Sequence, residues 1–240
     1  MDESADRLVA HRGYPGRFPE NTMPGIEGAL DAGCRWVEVD MQLTSDGVAA
    51  AFHDADLERM AAIPTMVANM TWEELSRVWV GESKRFGATF HGVRPVTVEA
   101  VADRMTRSAA RLFLDVKADA VARFGVERTL AAVQPARELL GDRLRLIATD
   151  VDFLAAARAA GYPIGWILGN YHESTRSAAQ SLAPDYLVCN HNRVDGELWS
   201  GDWRWMIYVV DEPNAIRSWW DRGAELVETD WIGEVLAATN

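Results

Sequence analysis

Apolar residues in this chain collect into eight short runs, at residues 8–11, 36–41, 112–117, 144–149, 164–168, 186–190, 205–210 and 226–230. Each run is rich in Leu, Ile, Val or aromatic side chains and short enough for a buried strand. Amphipathic stretches lie between them, and three of these end in glycine just ahead of the next run, at Gly33, Gly161 and Gly223. Glycine is the favoured left-handed residue at a helix end. Helix, glycine and strand in recurring order is the pattern of parallel α/β folds, whose neighbouring strands need a crossover between them. The same periodicity suits a doubly wound open sheet. Eight strands favour the (β/α)8 TIM barrel, so the predicted fold class is α/β, a TIM barrel with a small insertion subdomain after the second strand.

The insertion is expected because residues 43–110 exceed one ordinary crossover. Thr44-Ser45-Asp46-Gly47 is a turn signal, residues 48–52 read as a short return strand, and Thr71-Trp72-Glu73-Glu74 fits a capping box. Farther on, Val98, Val101, Ala102 and Met105 have the spacing of a core-facing helix. With 240 residues, 48% of them hydrophobic, the chain can bury one large core. A single domain over residues 1–240 is therefore expected, with an inserted segment at about 44–95.

Charge narrows the partners. A formal net charge of −12 argues against general affinity for nucleic acid or anionic membrane, so any phosphate site must be local. No stretch approaches a membrane span, and the first residues lack the basic and apolar regions of a secretion signal. A soluble cytoplasmic protein without stable membrane insertion is the expectation, its oligomeric state open. Cys34 and Cys189, far apart and each beside apolar residues, read as buried thiols without a chemical role.

Candidate chemistry sits in or just after the strand-like runs. Glu38 and Asp40 are two apart, as are Asp115 and Lys117, and in a strand such residues share a face at about 6.5–7 Å. Acids facing an interior require a metal, a basic partner or a water-filled strand end. Glu38, Asp40 and Asp115 form an all-oxygen set suited to one hard divalent cation, Mg2+ or Ca2+, rather than zinc. That leaves His11 and His53 for proton transfer near neutral pH. Arg12 and Lys117 are placed to hold an anion, Arg through a fork matched to phosphate oxygens and Lys as a compact charge. In a barrel the working groups come from the carboxyl ends of strands, where His11, Asp40, Lys117, Asp150 and Asp230 all fall. Together these groups suit cleavage of a phosphodiester.

The motifs also match a family. Ala10-His11-Arg12-Gly13, Pro19-Glu20-Asn21-Thr22, Glu38-Val39-Asp40 followed by Leu43-Thr44-Ser45-Asp46-Gly47, then Phe52-His53-Asp54 and Asp115-Val116-Lys117 resemble the glycerophosphodiester phosphodiesterase family. Weaker likeness runs through residues 70–75, 94–99 and 227–230, so it covers the chain nearly end to end. The resemblance implies a TIM barrel, a divalent metal, and hydrolysis of glycerophosphodiesters to sn-glycerol 3-phosphate and an alcohol. It implies that His11 and His53 are the catalytic pair, that Glu38, Asp40 and Asp115 are metal ligands, and that Arg12 and Lys117 contact phosphate. It also implies that the insertion is a small subdomain beside the barrel mouth. Glu20 and Asn21 match a supporting motif, and Asn21 or Thr22 equally suits the cap of the helix before Gly33.

The sequence departs from the family in its later part. Asp115 stands where Glu is usual, Thr149-Asp150 where Ser-Phe is common, Tyr208 where Trp is common, and Trp231 where a Pro-containing turn is usual. These departures keep two other readings open, a lysophospholipase D or sugar-phosphodiester hydrolase and a catalytically silent phosphate-binding barrel. Trp166 and Trp231 are candidates to stack on a sugar or headgroup, and Tyr208 and His191 are substrate-side candidates. The remaining late tryptophans read as packing residues, the pair Trp219-Trp220 fitting an amphipathic helix. His91 and His172 read as surface residues.

Overall fold

The computed structural model describes residues 4–239. Its barrel strands are β1 (Leu8–Ala10), β2 (Trp36–Leu43), β3 (Arg111–Val116), β4 (Leu144–Ala148), β5 (Ile164–Ile167), β6 (Tyr186–Asn190), β7 (Arg204–Tyr208) and β8 (Leu226–Thr229). All eight run parallel in sequential order. β1 closes the barrel by pairing with β8, Leu8 opposite Val227, and with β2, Val9 opposite Trp36. The open doubly wound alternative is thereby excluded, since an open sheet would leave β1 with only one of these two partners.

Period-two alternation divides each strand between two cores. Val9, Trp36, Phe113, Ile147, Ile167, Tyr186, Val188, Met206 and Leu226 fill the barrel interior. Val37, Val39, Leu112, Leu114 and Val227 point outward beneath the helices. The helices that cover this outer face are α1 (Met23–Asp31), α2 (Val98–Thr106), α3 (Ala118–Phe124), α4 (Val126–Leu140), α5 (Val151–Ala159), α6 (Glu173–Leu182), α7 (Pro213–Asp221) and α8 (Ile232–Thr239). In α2 the four apolar residues singled out by spacing are all buried. Gly161 and Gly223 follow α5 and α7 with φ of 82° and 97°, the left-handed conformation that stops a helix before the next strand.

The order of helix and strand breaks once, between β6 and β7, where residues 191–203 form no helix. Indoles cover the outer face instead. Tyr171 stacks on Trp199 at 4.0 Å between ring centroids, and the Nε1 groups of Trp203 and Trp205 both donate to the Trp199 carbonyl. This accounts for part of the late crowding of tryptophan. Trp219 is buried on α7, as the amphipathic spacing requires.

After β2 the chain turns back, and Ala49–Ala51 pairs antiparallel with its end, Met41 opposite Ala51. A two-stranded hairpin, Asp56–Leu57 with Ile63–Met66, and three short helices follow before α2. The capping box at Thr71 forms in full, its hydroxyl accepting from Glu74 N while the Glu74 carboxylate accepts from Thr71 N. Cys34 and Cys189 are buried free thiols. Among the described residues, no helix is long and apolar enough to cross a membrane.

Candidate active site

A cavity of about 210 Å³ opens at the carboxyl ends of the strands. His11, Arg12, Glu38, Asp40, His53, Asp115, Lys117, Thr149, Tyr208 and Glu228 contribute to its walls. The alternation explains the gathering. Glu38 and Asp40 continue the inward face of Trp36, Asp115 and Lys117 that of Phe113, and His11 that of Val9.

The turn after β1 is held in an unusual shape. Arg12 has φ of 49° and Gly13 of 85°, and a Cβ at Gly13 would lie 2.8 Å from the Gly25 carbonyl carbon in α1. Glycine is needed there both for the dihedral and for the close approach. The turn aims the Arg12 backbone N–H at Glu38 Oε2, 2.9 Å away. It also sends the guanidinium across the mouth, where Nη1 donates to Glu20 Oε1 at 2.9 Å and Nε lies 3.1 Å from Asp40 Oδ2. Asn21, with φ of 54°, donates from Nδ2 to Asp40 Oδ2 and accepts from Asp40 N, at 2.7 and 3.0 Å. Asn21 therefore clamps a site carboxylate and caps no helix. Thr22 occupies the cap position of α1, but its hydroxyl donates to the Pro19 carbonyl.

Each of three acids, Glu38, Asp40 and Asp115, offers an oxygen within 4.8 Å of the others. Oxygens so spaced can touch one cation at roughly 2.3–2.6 Å, and carboxylate is the donor that Mg2+ and Ca2+ prefer. The group fits a hard cation on a second count as well. The Lys117 ammonium already sits as a positive stand-in among these acids, 2.5 Å from Asp40 Oδ1 and hydrogen-bonded to Asp115. Electrostatics follows from the crowding. Burial and the charges of Asp40, Glu228 and Asp115 push the Glu38 carboxyl well above its ordinary value. Burial likewise raises Asp115 against the pull of Lys117. For Asp40 burial acts the same way, yet Lys117 and Arg12 outweigh it and hold that carboxyl far below the usual range.

The two imidazoles are mounted alike. His11 Nδ1 lies 2.6 Å from Asp230 Oδ1, and His53 Nδ1 lies 2.7 Å from Asp54 Oδ1. A carboxylate on Nδ1 fixes the orientation of the ring and of its other nitrogen, Nε2. Arg12 Nε donates to His11 Nε2 at 3.1 Å. Burial lowers the proton affinity of His11, but the Glu228 charge and the Asp230 hydrogen bond outweigh it, so the net shift is upward. His53 arrives from the insertion, anchored by Phe52 N donating to the Asp40 carbonyl and by Gln42 Nε2 donating to the His53 carbonyl. Arg59 ties that segment down, bonding Asp54 through Nε and Glu20 through both terminal nitrogens.

Other candidates fall elsewhere. Trp166 points outward into the helix-facing core. Trp231 packs on Gly16 and is largely exposed, and His191 bonds Asn192. None of the three lines the cavity. Asp150, at a strand end, serves as the N-cap of α5, accepting from Phe153 N. Three residues hold places that the sequence did not assign to them: Asp54 and Asp230 anchor the imidazoles, and Glu228 faces the cavity. A larger cavity of about 260 Å³ in the insertion, beside Trp79 and Phe90, includes Glu82, which is already bonded by Glu20 N and Arg85.

A closed parallel barrel with an acidic cluster, two carboxylate-anchored imidazoles and two cations at its mouth belongs to the class of barrels that handle phosphate esters. The family model for the glycerophosphoryl diester phosphodiesterase family matches residues 11–232, and the chain belongs to that family. A glycerophosphodiester phosphodiesterase of Caldanaerobacter subterraneus is 27% identical over 198 residues, spanning 79% of each chain. One of Bacillus altitudinis is 45% identical over 71 residues, a match covering 30% of this chain and only 29% of that relative. In fold, an Oleispira antarctica phosphodiesterase, solved in complex with the product sn-glycerol-3-phosphate, superposes with a TM-score of 0.83 at 20% identity, over 97% of this chain and 96% of that one.

Proposed function

We propose that this chain, as one barrel domain with its inserted segment at about 44–95, hydrolyses glycerophosphodiesters to sn-glycerol 3-phosphate and an alcohol, using one divalent cation and a pair of histidines. The observation that carries the reading is the placement of two Asp-anchored imidazoles around the single cavity wall where Glu38, Asp40 and Asp115 meet. Glu38, Asp40 and Asp115 would hold the cation, which when bound supplies charge neutralisation at the phosphoryl group. Arg12 and Lys117 hold the phosphate oxygens. Glu20 and Asn21 position Arg12 and Asp40 for that task. Of His11 and His53, one takes the proton of the attacking hydroxyl and the other returns a proton to the leaving alkoxide.

The chemistry is tested with glycerophosphocholine, lysophosphatidylcholine and a sugar phosphodiester, each with Mg2+, Ca2+ or chelator, in 18O-labelled water. Turnover of glycerophosphocholine that vanishes with chelator, with label in the glycerol phosphate, is the expected result. Release of the alcohol together with an unlabelled cyclic glycerol phosphate, ahead of any labelled glycerol phosphate, would reassign the attacker to the substrate's own hydroxyl. Tight binding of glycerol 3-phosphate with no turnover of any diester would overturn the reading in favour of a silent barrel.

A further inference from the structure

On β8 the inward positions are Leu226 and Glu228, so an acid stands where the barrel floor is otherwise apolar. Glu228 is only 4% exposed and faces the cavity. Its Oε1 has no hydrogen-bond partner among the described residues. The other acids of the site are all engaged. Arg12 N bonds Glu38, Asn21 and Lys117 bond Asp40, Lys117 bonds Asp115, and His11 bonds Asp230. A buried carboxyl with an unused acceptor is unfavourable unless a ligand supplies the donor.

Three features narrow the donor. Glu228 lies outside the trio of acids whose oxygens converge within 4.8 Å, which argues against a fourth metal ligand. Its neighbours along the wall are apolar, Ile147, Ile167 and Val188, with Tyr208 on the adjacent strand β7. Such a wall suits a short carbon chain bearing hydroxyl groups better than a strongly hydrated ammonium. The position is also close to His11, whose charge Glu228 senses, and hence to the reacting phosphate of the proposed reaction.

Resting on that reading, we propose that Glu228 is a specificity-determining residue whose free Oε1 accepts a hydrogen bond from a hydroxyl on the polyol half of the substrate. Its Oε1 is buried without a partner among the described residues, and that burial, ahead of the neighbouring charges, pushes the carboxyl up to about 7. A site built around a hydroxyl rejects the analogue lacking it, because the buried acceptor is then left empty.

The test compares glycerol p-nitrophenyl phosphate with propyl p-nitrophenyl phosphate, which lacks both hydroxyls, in wild type, Glu228→Leu and Glu228→Gln with Mg2+. Wild type is expected to favour the hydroxylated diester in kcat/KM by about 10- to 100-fold. Glu228→Leu should collapse that ratio toward one. Glu228→Gln, whose amide oxygen still accepts, should retain part of it and guards against a folding defect in the leucine variant. Calorimetric binding of sn-glycerol 3-phosphate against propyl phosphate measures the same preference without turnover. If neither diester is hydrolysed, the proposed reaction fails while binding still decides the role of Glu228. An equal loss on both diesters, an unchanged ratio in Glu228→Leu, or loss of Mg2+ binding in that variant overturns the proposal. So would a sensitivity that follows an amine, seen as selective loss on glycerophosphoethanolamine relative to glycerophosphocholine.

Discussion

On the side of the mouth built by β1, β2, the insertion and β3, most cavity walls carry charge: His11, Arg12, Glu38, Asp40, His53, Asp115 and Lys117. Across the barrel, β4 to β7 present Ile147, Thr149, Ile167, Val188 and Tyr208. The first side is cross-braced by hydrogen bonds, so that nearly every group able to move a proton or hold an anion has its direction fixed by a second residue. The second side is fixed by strand packing alone. Bond cleavage demands orientation to a fraction of an ångström, whereas accommodating a carbon chain demands only shape. Of the departures from the family pattern, Thr149, Tyr208 and Trp231 lie on the second side or beyond it, where altering a wall does not dismantle the charge network, while Asp115 on the first side keeps a carboxylate and changes only its length.

The comparison breaks most visibly at the histidines. His53→Ala and His11→Ala are each expected to reduce kcat by about 1000-fold, the range of a lost general acid or base. Their effects on the fold should diverge. His53 comes from the insertion with a side chain 35% exposed, while His11 is 15% exposed and bonded to a residue from the far end of the chain. Denaturant unfolding should leave His53→Ala within about 0.5 kcal/mol of wild type and show a larger loss for His11→Ala. Near-normal turnover in either variant would discard the acid and base assignment.

Bracing can also be attacked from below. Gly13→Ala places a Cβ against the backbone of α1 at a φ of 85° and should destabilise by about 3 kcal/mol. Because that turn aims Arg12 N at Glu38, activity should fall with stability. A urea midpoint unchanged from wild type would show that the turn is looser than described. No comparable sensitivity is expected at Gly33 after α1, where a Cβ meets nothing within 4 Å and only the positive φ opposes substitution.

Much of the charged side was legible in the sequence for a simple reason. Strand alternation has a period of two, so the spacing of Glu38 with Asp40 and of Asp115 with Lys117 already places each pair on a shared face. The same rule places Trp166 outward, because its neighbours Gly165 and Ile167 take the inward face. Applied to β8, the same alternation turns Glu228 inward with Leu226, an acid whose role the sequence left unassigned. Pairings across the fold left no such trace. Asp230 meets His11 through barrel closure, Arg59 reaches Glu20 across the insertion, and neither spacing nor composition encodes those approaches. The missing helix between β6 and β7 lay between these cases, since residues 191–203 show no helical period and the eight strands said nothing about what covers them.

The smallest expected effect concerns the pair that joins the two ends of the chain. In His11 the Glu228 charge and the Asp230 bond overcome burial and raise the folded value above the ordinary 6.5. A raised base contributes stability that is fully present below 6.5 and is lost as pH climbs through the folded value. In Asp230 the bond and charge of His11 overcome burial and lower the folded value below 3.8. That contribution is present above 3.8 and is lost as pH falls through the folded value. The two overlap between 3.8 and 6.5, so the stability gap between wild type and Asp230→Asn should be widest there. Asp230 is 38% exposed, and solvent screening holds the gap below about 1 kcal/mol. Titration of Glu38, Asp40 and Asp115 affects both proteins alike and largely cancels in the difference. Urea unfolding at pH 5 and pH 8.5 reads the gap directly. A gap of the same size at both pH values would mean that His11 is neutral throughout and that Asp230 only orients its ring.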